Sequence, residues 1–205
     1  MKVDLAKRQF SLGAMALAVS PLLFGLQSCD SSLDKPSFKN TDITGADFAK
    51  DFALTDHNGR AVTLATFAGK VVTVFFGFTQ CPDVCPTTMA EMAEVMKGLG
   101  DKAKDVQVLF ISVDPERDTP ALLKQYVPAF HPSFLGLVGD KAAIEATAKT
   151  FKVFYQKVPG KTEGSYSVDH TAGSYVFDKS GKVRLFLKHG AGAEPTLHDL
   201  KILLG

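Results

Sequence analysis

The chain has 205 residues, of which 45% are hydrophobic and 22% charged, with a formal net charge of +1. That composition is ordinary for a globular protein, the length suits one domain of ~100–200 residues with a short leader, and the basic excess that nucleic-acid binding requires is missing. Removing residues 1–29 takes Lys2, Asp4, Lys7 and Arg8 and leaves the charge at −1, so no bulk field steers a partner.

The leader comes first. Lys7-Arg8 precedes an apolar run from Leu12 to Leu26 that is broken by Gly13, Ser20, Pro21 and Gly25. A membrane-spanning helix needs ~20 apolar residues, so this run is poorly suited to a permanent span. Its charged-then-apolar plan is that of an export signal. The run ends in Leu26-Gln-Ser-Cys29, which resembles the lipobox of bacterial lipoproteins. That resemblance implies a lipidated Cys29 at the mature N-terminus. The alternative is an ordinary cleaved signal with an incidental cysteine, but lipidation accounts for an odd third cysteine in an exported chain. Residues 30–50 are polar, with Pro36 and Gly45, and read as a flexible tether to a domain over 51–205.

Within that domain, Phe52 to Leu64 reads as a hairpin turning at His57-Asn-Gly59. Val71 to Phe76 is β-branched and aromatic, a central strand. Pro86 suits the first position of a helix. Met89, Met92, Val95, Met96 and Leu99 then recur at helical spacing up to Gly98 or Gly100. This spacing makes the methionines core residues rather than thioether ligands. Val106 to Val113 is a second buried strand, and Asp118-Thr-Pro120 opens a helix to about Phe130. A strand follows at 134–138, then a helix from Asp140 to about Thr150. Strands at 153–158 and 165–170 flank the polar turn Pro159–Gly164, 174–177 and 183–187 form a hairpin, and Thr196 to Leu204 closes the chain. The order of elements predicts an α/β fold, a mixed sheet flanked by helices.

The chemistry concentrates in Cys81 and Cys85, delivered by the first long strand to the mouth of the first long helix. This is a thioredoxin-like placement. A free thiol has a pKa of ~8.5, and the unpaired N–H groups at a helix start favour thiolate. Cys85, just before Pro86, is expected to feel this effect. A purely structural disulfide closing so short a loop would constrain the unfolded chain little. The dithiol can cycle between thiol and disulfide or grip a soft metal. Two sulfurs suit copper(I), with imidazole as the usual third donor. Of the five histidines, His57, His131 and His198 sit in turn, loop or end-helix positions, and His189 lies beyond the last strand. His170 precedes the strand 174–177, expected beside the cysteine-bearing strand, and is the best placed third donor. A hydrogen-bonded loop histidine is the alternative.

These segments resemble the Sco (SenC) family of copper chaperones that help load the binuclear copper site of cytochrome c oxidase. The likeness runs through Phe75-Phe-Gly-Phe-Thr-Gln-Cys-Pro-Asp-Val-Cys-Pro86, Val113-Asp-Pro-Glu-Arg-Asp-Thr-Pro120 and Val168-Asp-His-Thr171 before Tyr175. It covers roughly residues 45–205. The resemblance implies a thioredoxin-like fold and copper ligands at Cys81, Cys85 and His170. Gln80 stands where the family often has histidine, and it is not needed as a ligand. Asp114, Arg117 and Asp118 fill the second motif. They are expected to serve turn and capping duty, with partner docking or support of the site as the alternative.

The leading expectation is therefore a metallochaperone carrying copper(I), with copper(II) as a second state, on an inserted and mobile hairpin bearing His170. Its partners would be the copper-receiving oxidase subunit and other periplasmic copper carriers or thiol reductants. It would act at the periplasmic face of the bacterial inner membrane, held by an N-terminal lipid anchor. The rival is a thiol–disulfide oxidoreductase that uses Cys81 and Cys85 to reduce the recipient's cysteines. A closed structural zinc site needs four ligands, and only three are in view.

Overall fold

The computed structural model describes residues 37–205. The export signal at 1–29, Cys29 and the first residues of the tether lie outside the described residues. Among the described residues, ten strands and four α-helices follow one another. They are β1 (Thr41–Asp42), β2 (Ala53–Asp56), β3 (Ala61–Thr63), β4 (Val71–Gly77), α1 (Val84–Leu99), β5 (Val106–Ser112), α2 (Pro120–Tyr126), β6 (Leu135–Val138), α3 (Lys141–Phe151), β7 (Tyr155–Pro159), β8 (Tyr166–His170), β9 (Gly173–Phe177), β10 (Val183–Lys188) and α4 (Ala193–Leu204).

Eight strands form one sheet in the order β1-β10-β9-β4-β5-β6-β2-β3. β4, β5 and β6 run parallel, and the other pairings are antiparallel. β4 and β5 are buried at every position. That is why they read as nearly continuous apolar runs rather than as alternation. β9 pairs antiparallel with β4, with Ser174 opposite Phe75, so the chain just after His170 runs along the strand that delivers the cysteines. β7 and β8 pair only with each other. This is the inserted hairpin expected between α3 and the β9–β10 hairpin.

Met89, Met92 and Met96 are buried on the core side of α1, as their spacing predicts. Fully burying such a side chain contributes ~1.5–3 kcal/mol each. α1 begins at Val84, two residues before Pro86, and Gly100 stops it with a positive φ of 55°. Pro86 is thus the third helical residue, still within the first turn where backbone N–H groups have no partner inside the helix. Thr119 caps α2, its Oγ1 accepting from Leu122 N at 3.2 Å.

The expected tether is too long at its C-terminal end. β1 adds to the sheet edge by pairing Thr41 with Phe186 and Asp42 with Leu185. Asp199 on α4 accepts hydrogen bonds from Lys39 N at 2.9 Å and Asn40 N at 2.8 Å. Polar composition suggested a free segment, but backbone pairing and one buried carboxylate fasten it from residue 39 on.

Candidate metal centre

β4 ends at Gly77, and the loop Phe78–Asp83 carries Cys81 before α1 opens. Gly77 leaves room that no other residue would. A Cβ built there would lie 2.8 Å from Cys85 Sγ and 2.9 Å from both the Phe110 and Phe75 rings. The Cys85 sulfur therefore packs against the end of the strand, and the residue is fully buried. Burial pushes the Cys85 thiol up from its ordinary range. A backbone hydrogen bond from Phe78 opposes this, while Cys81 and Asp118 add to it.

This reverses one expectation. Cys85 was expected to sit as thiolate over the helix start. It is Cys81 Sγ, half-exposed, that accepts a backbone N–H of the first helical turn, from Cys85 N at 3.5 Å. The Cys85 side chain points inward, because the second helical residue faces the core here. Both cysteines are free thiols.

His170 closes the site from the other side. Its Nε2 lies 3.6 Å from Cys85 Sγ. Its Nδ1 lies 3.1 Å from the Thr171 carbonyl, which accepts its hydrogen and leaves the Nε2 lone pair facing the sulfurs. The imidazole stands edge-on to Phe75 and Phe78, with centroids 6.0 Å away in each case. Burial pulls its pKa below the ordinary histidine value, and the Thr171 carbonyl and Asp169 offset part of this. Burial thus favours the neutral ring, the form in which an imidazole ligates a metal. The donor atoms of Cys81, Cys85 and His170 all lie within 4.8 Å of one another. Among the described residues, they form the one cluster of three or more such side chains that could hold a metal ion. Two soft sulfurs and one imidazole suit copper(I). The site opens into a pocket of about 270 Å³ lined by Phe78, Cys81, Asp83, Val168, Asp169 and His170, among others.

The remaining histidines are engaged elsewhere. His57 Nδ1 accepts from Gly136 N at 3.0 Å, buried rather than on the surface. His189 meets Thr88 Oγ1 at 3.2 Å, His131 meets Ser133 and His198 meets Asp199.

The second motif does more than cap turns. Asp118, buried, accepts from Thr79 N at 3.0 Å, Thr79 Oγ1 at 2.6 Å and Ser112 Oγ at 2.6 Å, and so pins the cysteine loop. Asp114 and Arg117 reach the hairpin instead. Tyr166 donates its hydroxyl to Asp114 at 2.8 Å, and Arg117 donates to the Tyr166 carbonyl at 2.9 Å. Tyr166 and Gln80 belong to the surroundings of the site, and sequence reasoning missed the first and discounted the second. A tyrosine on an exposed-looking strand carries no signal until its partner strand is known.

The SCO1/SenC family model matches residues 40–205. The chain belongs to the SCO1/SenC family. This SCO1/SenC protein is 41% identical over 140 residues to a SCO2-like protein of Rickettsia felis, a stretch covering 68% of this chain and 67% of that relative. The match thus spans about two thirds of the relative's length. Among solved structures it resembles Bradyrhizobium japonicum ScoI with copper bound, at 44% identity and a TM-score of 0.69 over 75% of this chain and 97% of that one. It also resembles BsSco, described as a member of the Sco family of cytochrome c oxidase assembly proteins in which a disulfide switch was identified. There the identity is 27% and the TM-score 0.59, over 82% of this chain and 96% of that one. The thioredoxin-like α/β fold expected for the domain is the fold of this family.

Proposed function

We propose that this protein is a metallochaperone that carries copper on Cys81, Cys85 and His170 and delivers it to the binuclear copper site of cytochrome c oxidase. The observation that carries the reading is the convergence of two sulfurs and a neutral imidazole nitrogen within 4.8 Å. The relative solved with copper bound supports it. Copper is cargo here. A three-donor site leaves a coordination position open, so a thiolate of the recipient can join before the first donors leave. Copper(I) suits the two sulfurs, and copper(II) is the second state. In this reading the leader exports the chain, Cys29 carries the lipid that holds it at the periplasmic face of the inner membrane, and the first residues after Cys29 link anchor to domain. Among the described residues no helix is long and apolar enough to cross a membrane.

The second reading is a thiol–disulfide oxidoreductase that reduces the recipient's cysteines before metal insertion. It is favoured by two free thiols close together, one half-exposed, and by the disulfide switch named for BsSco. The test is copper(I) affinity of the reduced domain by chelator competition, with Cys81, Cys85 and His170 each changed to alanine. Chaperoning expects one copper per chain and a large loss in every variant. Full affinity in His170→Ala would remove the three-donor site and leave the dithiol reading.

A further inference from the structure

The loop between β5 and α2, residues 113–119, touches both halves of the metal centre. At one end Asp118 holds the cysteine loop through Thr79. In the middle, Arg117 lies 3.6 Å over the Tyr166 ring. Its Nη1 donates to the Tyr166 carbonyl at 2.9 Å and to Gln80 Oε1 at 3.0 Å. Its Nε donates to the buried Asp114, which also accepts the Tyr166 hydroxyl. Gln80 immediately precedes Cys81, and Tyr166 begins the strand that ends in His170. Lys157 lies 4.5 Å from the same Tyr166 ring and pairs with Glu116 at 2.5 Å, so the loop grips both strands of the hairpin.

The register bears on how the hairpin moves. Tyr155 pairs with His170 at one end and Pro159 with Tyr166 at the other, so Gly160 and Gly164 sit at the end remote from His170. Their freedom does not reach the imidazole while Arg117 holds Tyr166, the residue that begins β8. The base is closed by Thr171 N donating to Phe154 O at 2.9 Å and Phe154 N donating to Thr171 Oγ1 at 3.0 Å. The opposite end, where Tyr166 pairs with Pro159, is held by Arg117, which also meets Gln80 beside Cys81.

We infer that Arg117 is a positioning residue: a clasp that ties the histidine-bearing hairpin to the cysteine loop and sets how tightly copper is retained. The inference rests on the copper-carrier reading above. With the clasp closed, the imidazole is held ready and contributes to affinity without an ordering cost. With it open, His170 leaves first and copper remains on the two sulfurs, ready for a recipient. A recipient that displaces Arg117 from Tyr166 would therefore trigger release.

The test measures Arg117→Ala and Arg117→Lys by copper(I) competition and dissociation rate, with hydrogen exchange of the metal-free protein alongside. Supporting partners of a ligand typically carry ~10–100-fold in metal affinity. Arg117→Ala is expected to lose affinity in that range through faster dissociation. Arg117→Lys is expected to recover little, because one ammonium cannot reach Asp114, Gln80 and the Tyr166 carbonyl together. Exchange should quicken in β7 and β8 while β4 and β5 stay protected. That local pattern separates a clasp from general destabilisation. Should Arg117→Ala fold poorly, Tyr166→Phe removes only the hydroxyl, and is expected to weaken retention about fivefold. Native affinity with native β8 protection in either variant overturns the clasp, and so does loss of protection spread evenly over the sheet. If His170→Ala binds copper normally as well, the copper site itself is wrong. If only His170→Ala loses copper, the site stands and the clasp falls.

Discussion

Gly77→Ala tests whether the Cys85 sulfur is held by the end of β4. The added methyl carbon would sit 2.8 Å from that sulfur and 2.9 Å from two phenylalanine rings. Ordinary carbon contacts lie at ~3.5–4.0 Å, so each neighbour must retreat by roughly 0.6–0.7 Å or more. Sulfur, Phe110 and Phe75 are all fully or almost fully buried, so none has free space to move into. Overpacking of this kind costs about 1–3 kcal/mol. Urea unfolding of the metal-free domain should show that loss as a lower midpoint at unchanged slope. The copper effect should be larger in proportion. Metal–ligand distances tolerate only about ±0.2 Å, and the forced displacement exceeds it several times over. Copper(I) affinity should fall by more than about tenfold, the equivalent of ~1.4 kcal/mol. A variant as stable as the parent, with native affinity, would refute the packing of Cys85 against β4 and with it the geometry of the site.

Other expectations concern charge and the domain's first residues. Burial lowers the His170 pKa, so an NMR titration of the metal-free protein should give a midpoint below the ordinary histidine value of ~6.5. Because the folded-state pKa is depressed, this residue's contribution to stability is present above pH ~6.5 and is lost as pH falls through the folded value. A midpoint above ~6.5 would sink the buried, neutral ring. For Asp199, burial alone would raise the pKa, but hydrogen bonds from His198, Lys39 N and Asn40 outweigh it and hold the carboxylate low. Asp199→Ala should leave two backbone N–H groups without their acceptor, cost about 2–4 kcal/mol, and expose residues 37–42 to protease. Unchanged protease resistance would show that β1 alone fastens the segment.

The fold was legible where burial is uniform or strictly periodic. β4 and β5 announce themselves because strands covered on both faces are mostly β-branched and aromatic, with Thr73, Gln107 and Ser112 as their buried polar exceptions, and α1 because its methionines repeat at helical spacing. The neighbourhood of His170 followed from topology, since a strand pairing with β4 must bring the residue just before it near Cys81 and Cys85. What the chain did not disclose depends on partners distant in sequence. Residues 39–42 look like a tether because their hydrogen bonds lie on Asp199 and β10. The direction of the Cys85 side chain follows from where α1 starts, and Val84 rather than Pro86 opens it. Asp114 and Arg117 look like turn residues because their partner, Tyr166, is 52 residues away from Asp114.

The two cysteines are consequently unequal. Cys81 is half-exposed, accepts a helix N–H and borders the open pocket. Cys85 is buried, its thiol is disfavoured from ionising, and its nearest basic group is His170 Nε2. A metal that binds all three donors must displace the Cys85 proton, since only a thiolate ligates strongly. The neutral imidazole 3.6 Å away is the adjacent acceptor for that proton, but it cannot keep the proton and bind the metal through the same nitrogen. In the copper-carrier reading, loading would therefore release the protons of both thiols, that of Cys81 directly to the pocket and that of Cys85 by way of the imidazole, and unloading would take them up. In the copper-carrier reading, the cation arrives first at Cys81, expels the Cys85 proton and then gains the imidazole. The reverse order returns Cys85 to its neutral buried state, which drives the last step of release. An exchanger built on the same dithiol would attack with the half-exposed Cys81, and the buried Cys85 would lose its proton only on resolving the mixed disulfide, with His170 Nε2 as the adjacent acceptor.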